Sequence, residues 1–446
     1  MLQETVEGLL AEHGCPGCAV GIAKGGETIL AAYGLARTDP ATPFRVDTRV
    51  PVASMSKPFT ATAVLALVQS GEVELDAPVR TYLPDFRVAD EAASNAVTVR
   101  HLLRHAVGWA GDIPGEDDRG SGALAAHVAA MKDAPQVLPP GTTFSYANNG
   151  LVVAGRVVEV VTGEVYEEHV RRTVLEPLGM TASTFFAEQA ISALAVSGHK
   201  DEDGVQVPVQ DPWLVPRCAN PAGGLISTAA DQLAWLSWWI SDDERGPLTV
   251  ATRRRMFTEL VPVGVGPASA RLGWHVVHHP GADLVYHEGR LSGSASIGLF
   301  VPQARFAAVV LTNSAAGEPL HRALTEKLLE EYAGIRPHEH RTEAEVDAAA
   351  VAELAGGYAV AQVGGPDERI SVRSADTGLV IRLETEHDTD VYPDGLRLGR
   401  EKGDLFRVRN GVWRGLPAEF LRADDGGVLG LRIGGRVFRR LPIPPR

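Results

Sequence analysis

The sequence predicts an α/β protein of the α+β kind. One antiparallel sheet is flanked by helices and interrupted by a helical insertion, and a small C-terminal all-β, barrel-like domain follows. Three observations carry this. Strand-like runs stand at both ends of residues 1–335, with helical texture between them. A polar, charged stretch then occupies 336–349. Beyond it, short alternating segments are split by glycine turns, the pattern of a small barrel or sandwich. The expected division is therefore 1–335, a linker at 336–349, and 350–446.

The elements follow in order. Residues 2–12 place Val6, Leu9 and Leu10 on one helical face. Runs at 19–23 and 28–33 flank Gly25-Gly26, a hairpin signal. Helices are expected at 58–69 and 151–161, each stopped by a glycine, Gly71 and Gly163. Strand character returns at 273–278, 284–287, 296–301 and 306–312, and 320–332 reads as a closing helix. Strands from both ends with helices between them make one antiparallel sheet with a helical insertion. In the last hundred residues seven short strands are expected: 370–372, 379–383, 395–398, 405–408, 419–422, 428–433 and 437–441.

Composition bounds the function. The chain has 446 residues, 45% apolar and 22% charged, enough for a large core. Its formal net charge of −14 argues against nucleic acid and anionic membranes as partners, since both require a basic face. The acidic N-terminus lacks a basic, apolar export signal, and no apolar run approaches the length of a membrane span. A cytoplasmic protein is expected. Three cysteines, Cys15, Cys18 and Cys218, do not make a disulfide framework. Cys15 and Cys18 have redox spacing but lead into an ordinary strand, so packed thiols are expected.

The chemistry centres on Ser54-Met55-Ser56-Lys57. The S-x-x-K spacing is weak alone, and Ser197-Gly198-His199-Lys200 shares it. Only Ser54 opens a long helix. Residues i and i+3 share a helical face, so Lys57 is expected beside the Ser54 hydroxyl. Serine needs a base, and lysine serves once burial lowers its pKa from about 10.4. Tyr146-Ala147-Asn148 follows a rigid loop at 138–145. Its phenol can relay protons, and its amide can hold both a lysine and a substrate carbonyl. His287-Glu288-Gly289 ends a strand. There Gly289 would admit a substrate backbone, and the Arg290 backbone N–H would join that of Ser54 as an oxyanion hole.

In this order and spacing, the three elements resemble the serine β-lactamase and penicillin-binding-protein-like hydrolases, on the class C side. The segments 98–108, Glu176-Pro177-Leu178-Gly179-Met180 and 221–228 are similar to further family stretches, so the resemblance covers about 5–335. It implies a β-lactamase/DD-peptidase-like fold and an acyl-enzyme on Ser54, with Lys57 and Tyr146 moving protons. Asn148 would orient substrate and lysine. It implies no cofactor and no metal. His101 and His105 lack the glutamate of a zinc motif and read as scaffold.

The third motif is His-Glu-Gly where the family's β-lactamases carry Lys-Thr-Gly. That resembles the family's esterases, peptidases and acyl-transferring members. The C-terminal region resembles the lipocalin-like appendage of several of these, resting on strand texture and residues 353–358. The expected function is hydrolysis of esters or small peptide amides, some with D-residues. Acyl transfer or peptide cyclisation is the alternative, and a non-catalytic binding protein a third. The expected partner is a small-molecule or short-peptide acyl substrate. Loops near 110–135 and 199–220, with Trp109 and Trp213, are expected to shape the pocket.

Overall fold

A computed structural model describes residues 2–109, 112, 118–202, 205–209, 215–256, 261–262, 268–336, 348–360, 367–375, 378–383, 395–411 and 413–442. Its centre is a nine-stranded antiparallel sheet. In chain order the strands are β1 (Gly17–Lys24), β2 (Glu27–Thr38), β3 (Ala41–Pro43), β4 (Val261–Pro262), β5 (Ala268–Arg271), β6 (Trp274–His279), β7 (Ala282–Leu291), β8 (Ser294–Val301) and β9 (Phe306–Thr312). In space they run β3-β2-β1-β9-β8-β7-β6-β5-β4. The two ends of the segment meet where β1 pairs with β9, Val20 opposite Val310. The sheet is thus assembled from N- and C-terminal strands, as the sequence pattern implied.

Strand periodicity explains why β9 is buried throughout. Successive side chains point to opposite faces, and both faces are covered. Ala308 and Val310 face α1 (Leu2–His13) and the C-terminal α5 (Gly317–Ala333), which contribute Val6, Leu9, Leu320 and Leu324. Val309 and Leu311 face the helical insertion. There α2 (Lys57–Ser70), α3 (Asn148–Thr162) and α4 (Ala229–Trp239) share one large core. Aromatic rings fill its centre: Phe59 stacks on Trp235 at 4.3 Å, and Trp235 lies against Trp238, Trp239 and Trp274.

Most expected elements occur, with longer bounds. Helix α2 begins at Lys57 rather than at Ser54, because a one-turn 3₁₀ helix, Ala53–Ser56, precedes it. The short strands β4 and β5 carried too little apolar alternation to be read. The linker falls mainly on residues 337–347, outside the described residues, and its last two positions already belong to a helix, Ala348–Leu354.

The C-terminal strands close into a barrel of eight. They are β10 (Gly356–Val360), β11 (Glu368–Ala375), β12 (Gly378–Leu383), β13 (Leu396–Lys402), β14 (Leu405–Val408), β15 (Pro417–Arg422), β16 (Val428–Ile433) and β17 (Arg436–Arg440). The eighth, β10, was missed because its glycines and single buried tyrosine break the alternation. It closes the barrel by pairing with β17. Side chains fill the interior, among them Tyr358, Phe406, Phe420 and Leu431. No described helix is long and apolar enough to cross a membrane.

The Phe59–Trp235 contact anchors α2 on the sheet side of the core. Phe59→Ala should cost about 3–5 kcal/mol of unfolding free energy. Denaturant titration followed by tryptophan fluorescence measures this, and a loss below about 1 kcal/mol would contradict the role assigned to the cluster.

Candidate active site

A strained residue presents Ser54. Ala53 has φ +49°, in the left-handed region where a Cβ is crowded. The turn is held from several sides. Ser296 on β8 donates to the Val52 carbonyl at 2.9 Å, and Ser294 to the Pro51 carbonyl at 3.3 Å. Ser56, inside the S-x-x-K run, donates to the Ala53 carbonyl at 2.7 Å and accepts the Leu225 N–H at 2.9 Å. Ser54 itself is half-buried.

Lys57 is fully buried. Its Nζ donates to Ser54 Oγ at 2.8 Å and to the Ala222 carbonyl at 2.6 Å. Burial pushes the amine down to about 7; the Asp112 carboxylate opposes that and the Arg436 guanidinium adds to it. Near neutral pH a large share of Lys57 is therefore uncharged and able to accept a proton.

Tyr146 reaches the same hydroxyl from another element. Its Oη donates to Ser54 Oγ at 2.8 Å, and Lys57 Nζ stands 4.8 Å from its ring centroid. Burial holds its phenol above its ordinary pKa, so it stays protonated. The loop carrying it hangs on the preceding segment: Ser145 N–H donates to the His105 carbonyl at 2.8 Å, and Ala147 N–H to His105 Nδ1 at 3.1 Å. Gly108 (φ +77°) makes this possible. A Cβ there would lie 2.0 Å from the Leu138 carbonyl.

His105 was read as scaffold, and what it supports is the Tyr146 loop. Its ring stacks on Tyr146 at 4.5 Å. His275, which the sequence reading did not single out, lies 6.5 Å from Tyr146 and 5.0 Å from His287. Burial first, then the nearby Lys57, pushes His275 down to about 4. His105 and His287 are held well below their ordinary range, also chiefly by burial. All three rings are neutral at pH 7. His101 is structural: its ring accepts the Thr98 N–H at 3.2 Å in a capping box.

Three further expectations are revised. Asn148 was expected to hold Lys57; its amide instead donates to Asp112 at 2.8 Å, and the Ala222 carbonyl takes the lysine. Gly289 was expected to admit substrate. The space its missing Cβ leaves is taken by the Val52 carbonyl, which a Cβ would meet at 2.1 Å. The glycine thus lets β7 pass against the Ser54 turn and brings Arg290, the next residue, close to it. Trp109, expected to shape the pocket, is 2% exposed and packs on Phe86 in the core. Trp213 lies outside the described residues.

His287 Nδ1 lies 2.7 Å from the Glu288 carbonyl and so carries the hydrogen. Its Nε2 is buried without a partner among the described residues. The second S-x-x-K run lies on a small hairpin, with Lys200 exposed and paired to Glu202. The three cysteines are buried free thiols.

The Beta-lactamase family model matches residues 2–333. The chain belongs to the β-lactamase family. Its members are serine hydrolases and acyltransferases, so the chain is an enzyme. It is 32% identical to "Penicillin-binding protein 4" of Amycolatopsis lactamdurans, over 80% of this chain and 96% of that protein. It is 27% identical to "Unguisins hydrolase ungD'" of Aspergillus campestris, over 73% of this chain but 65% of that longer protein. In three dimensions it is similar to SurE, with TM-score 0.78, 26% identity, and coverage of 99% and 98% of the two chains. A class C β-lactamase matches at TM-score 0.63 and 22% identity, over 76% of this chain and 97% of that one. The likeness to SurE therefore includes the barrel, and the likeness to the lactamase leaves much of the chain uncovered.

Gly289→Ala tests the packing of β7 on the Ser54 turn. Its methyl must displace Val52 and with it Ser54. A drop of at least ten-fold in the rate of Ser54 acylation, read by mass spectrometry, is expected even where the fold survives by circular dichroism. An unchanged rate would contradict the tight approach.

Proposed function

We propose that the chain is a serine acyl-enzyme hydrolase acting on esters or small peptide amides through Ser54. The observation that carries this is the pair of 2.8 Å hydrogen bonds that Lys57 and Tyr146 make to one serine oxygen. In this reading Ser54 Oγ attacks the carbonyl carbon as its proton passes to the neutral Lys57 amine. The Tyr146 phenol hands a proton to the leaving group and is reprotonated from Lys57. The Ser54 and Arg290 backbone N–H groups receive the developing oxyanion. Water then attacks the ester and loses its proton to the same pair, which returns it to the Ser54 oxygen as the bond to the acyl carbon breaks and the acid leaves. Asn148 and His287 are assigned to substrate binding, and the substrate is a small molecule or short peptide without nucleic acid or membrane involvement. A cytoplasmic site of action completes the proposal, tested by cell fractionation.

A second reading is acyl transfer, in which an amine replaces water. What favours it is the likeness over both domains to SurE, also known in a structure with D-Leu, an amino acid that carries an amine as well as a carboxylate. Donors ending in a D-residue are therefore the first to test. An activated D-amino ester with and without added amine separates the readings. Free acid under all conditions would remove the second.

Ser54→Ala should abolish the covalent adduct formed by a fluorophosphonate. Tyr146→Phe should slow acylation about 10²–10⁴-fold. An adduct that survives in Ser54→Ala would overturn the assignment of the nucleophile.

The pH dependence has a defined sign. Lys57 acts as a base only when neutral, so the acylation rate should rise with pH through a midpoint near 7 and then level off. A stopped-flow profile between pH 5 and pH 9 checks this. A rate that falls across pH 7 would exclude Lys57 as the base.

A further inference from the structure

The last hairpin of the barrel enters the candidate active site. Gly434 and Gly435, at φ +58° and +79°, turn β16 into β17. The Gly435 carbonyl accepts the Tyr146 N–H at 2.8 Å. Val437 N–H donates to Ser145 Oγ at 3.2 Å. Arg432, 5% exposed, donates to Thr143 Oγ1 at 3.0 Å and to the Phe144 carbonyl at 3.2 Å. Every residue from Thr143 to Tyr146 is thus bonded to the barrel.

Arg436 goes deeper. Its guanidinium lies 6.0 Å from the Tyr146 ring centroid and forms an ion pair with Asp112. Oδ2 of Asp112 takes Arg436, and Oδ1 accepts the Asn148 amide. One ion pair between two domains therefore touches both ends of Tyr146-Ala147-Asn148. The side chains are 24% and 39% exposed, too open to be core filling.

We propose that Arg436 and Asp112 are positioning residues of the candidate active site, through which the barrel holds Tyr146 and Asn148 in place against Ser54 and sets two opposed charges beside Lys57. The inference rests on the acyl-enzyme reading above. It goes beyond it in making the second domain part of the catalytic apparatus.

The same geometry puts two fixed charges beside the proton-handling groups. The charges facing Lys57 and Tyr146 are Asp112 from the insertion, Arg436 from the barrel, and Glu288 from β7, which acts on Tyr146. The His105, His275 and His287 rings also face Lys57 but are neutral. Arg436 disfavours the Lys57 ammonium, and Asp112 favours it. Removing either charge should therefore move the acylation midpoint in opposite directions. The signs are the same for Tyr146, so they hold whichever group takes the first proton.

The test uses the full-length enzyme and p-nitrophenyl acetate, an uncharged donor whose binding the charges do not bias. Acylation rate is measured against pH for wild type, Arg436→Met, Arg436→Lys and Asp112→Asn. Arg436→Met should raise the midpoint by about 0.5–1 unit and Asp112→Asn lower it by a similar amount. Asn can still accept the Asn148 amide, so this variant removes charge and keeps the contact. Arg436→Lys should stay within about 0.3 unit of wild type. An equal rate loss at every pH, with no shift or with shifts of one sign, would reduce the pair to an ordinary docking contact and overturn the proposal. Should Arg436→Met fail to fold, the Asp112→Asn and Arg436→Lys profiles decide alone. A wild type that never forms the adduct would instead overturn the acyl-enzyme reading itself.

Discussion

A lysine amine sealed from water, 2.8 Å from a serine hydroxyl, sets the terms for the rest of the structure. Placing an ammonium in a dry interior costs several kcal/mol unless it is fully paired. Here the hydrogen-bond partners are one hydroxyl and one carbonyl, neither carrying a charge. The cheaper state is the neutral amine, and that state is a base. The Ala222 carbonyl is kept in place by its own surroundings. Thr60 bonds the adjacent Pro221 carbonyl at 2.6 Å, and Asn220 is held by Glu167 at 2.8 Å. The acceptor cannot drift away when Lys57 takes up a proton.

The sheet supplies the rigidity this arrangement needs. Strands β7 and β8 are interior to it, and both press on the segment ahead of Ser54: β7 through Gly289, β8 through the hydroxyls of Ser294 and Ser296. The left-handed Ala53 is tolerated because the residues on either side of it are bonded in place. Lys57 then opens a helix whose first turn is fixed at Phe59 by the tryptophan cluster. Ser54 stands on a turn packed against the sheet, Lys57 on a core helix and Tyr146 on a loop pinned at both ends. Their convergence on one oxygen is a property of the tertiary packing more than of any single motif.

That division explains what was legible in the sequence. Strand alternation and glycine stops marked the long elements, since burial writes itself into local periodicity. The Ser54–Lys57 contact was legible because three residues along a helical turn fix a distance. Whatever depends on contacts between remote segments was not. Asp112 and Arg436 are 324 residues apart and carry no local signal. His105 read as scaffold, but nothing nearby in sequence shows that Tyr146 is what stacks on it. Gly289 was rightly noticed, but for the wrong neighbour: a glycine announces that something comes close without saying what. Trp109 was assigned to the pocket by its position in a loop, whereas its size is used to fill the core.

The third motif ties these threads together. His287 donates its Nδ1 hydrogen to the Glu288 carbonyl, which leaves Nε2 as a bare lone pair. Burial and the adjacent His275 keep the ring neutral. A lysine in this position, as in the lactamases of the family, would offer a cation to a substrate carboxylate. A neutral imidazole cannot do that; it accepts a hydrogen bond, as from an amide N–H or an amine. A second cation so near Lys57 would also depress the lysine further, so a neutral third motif and an arginine carried in by the barrel are compatible where two cations would compete. The charge at the edge of this site comes instead from Arg436, already balanced by Asp112.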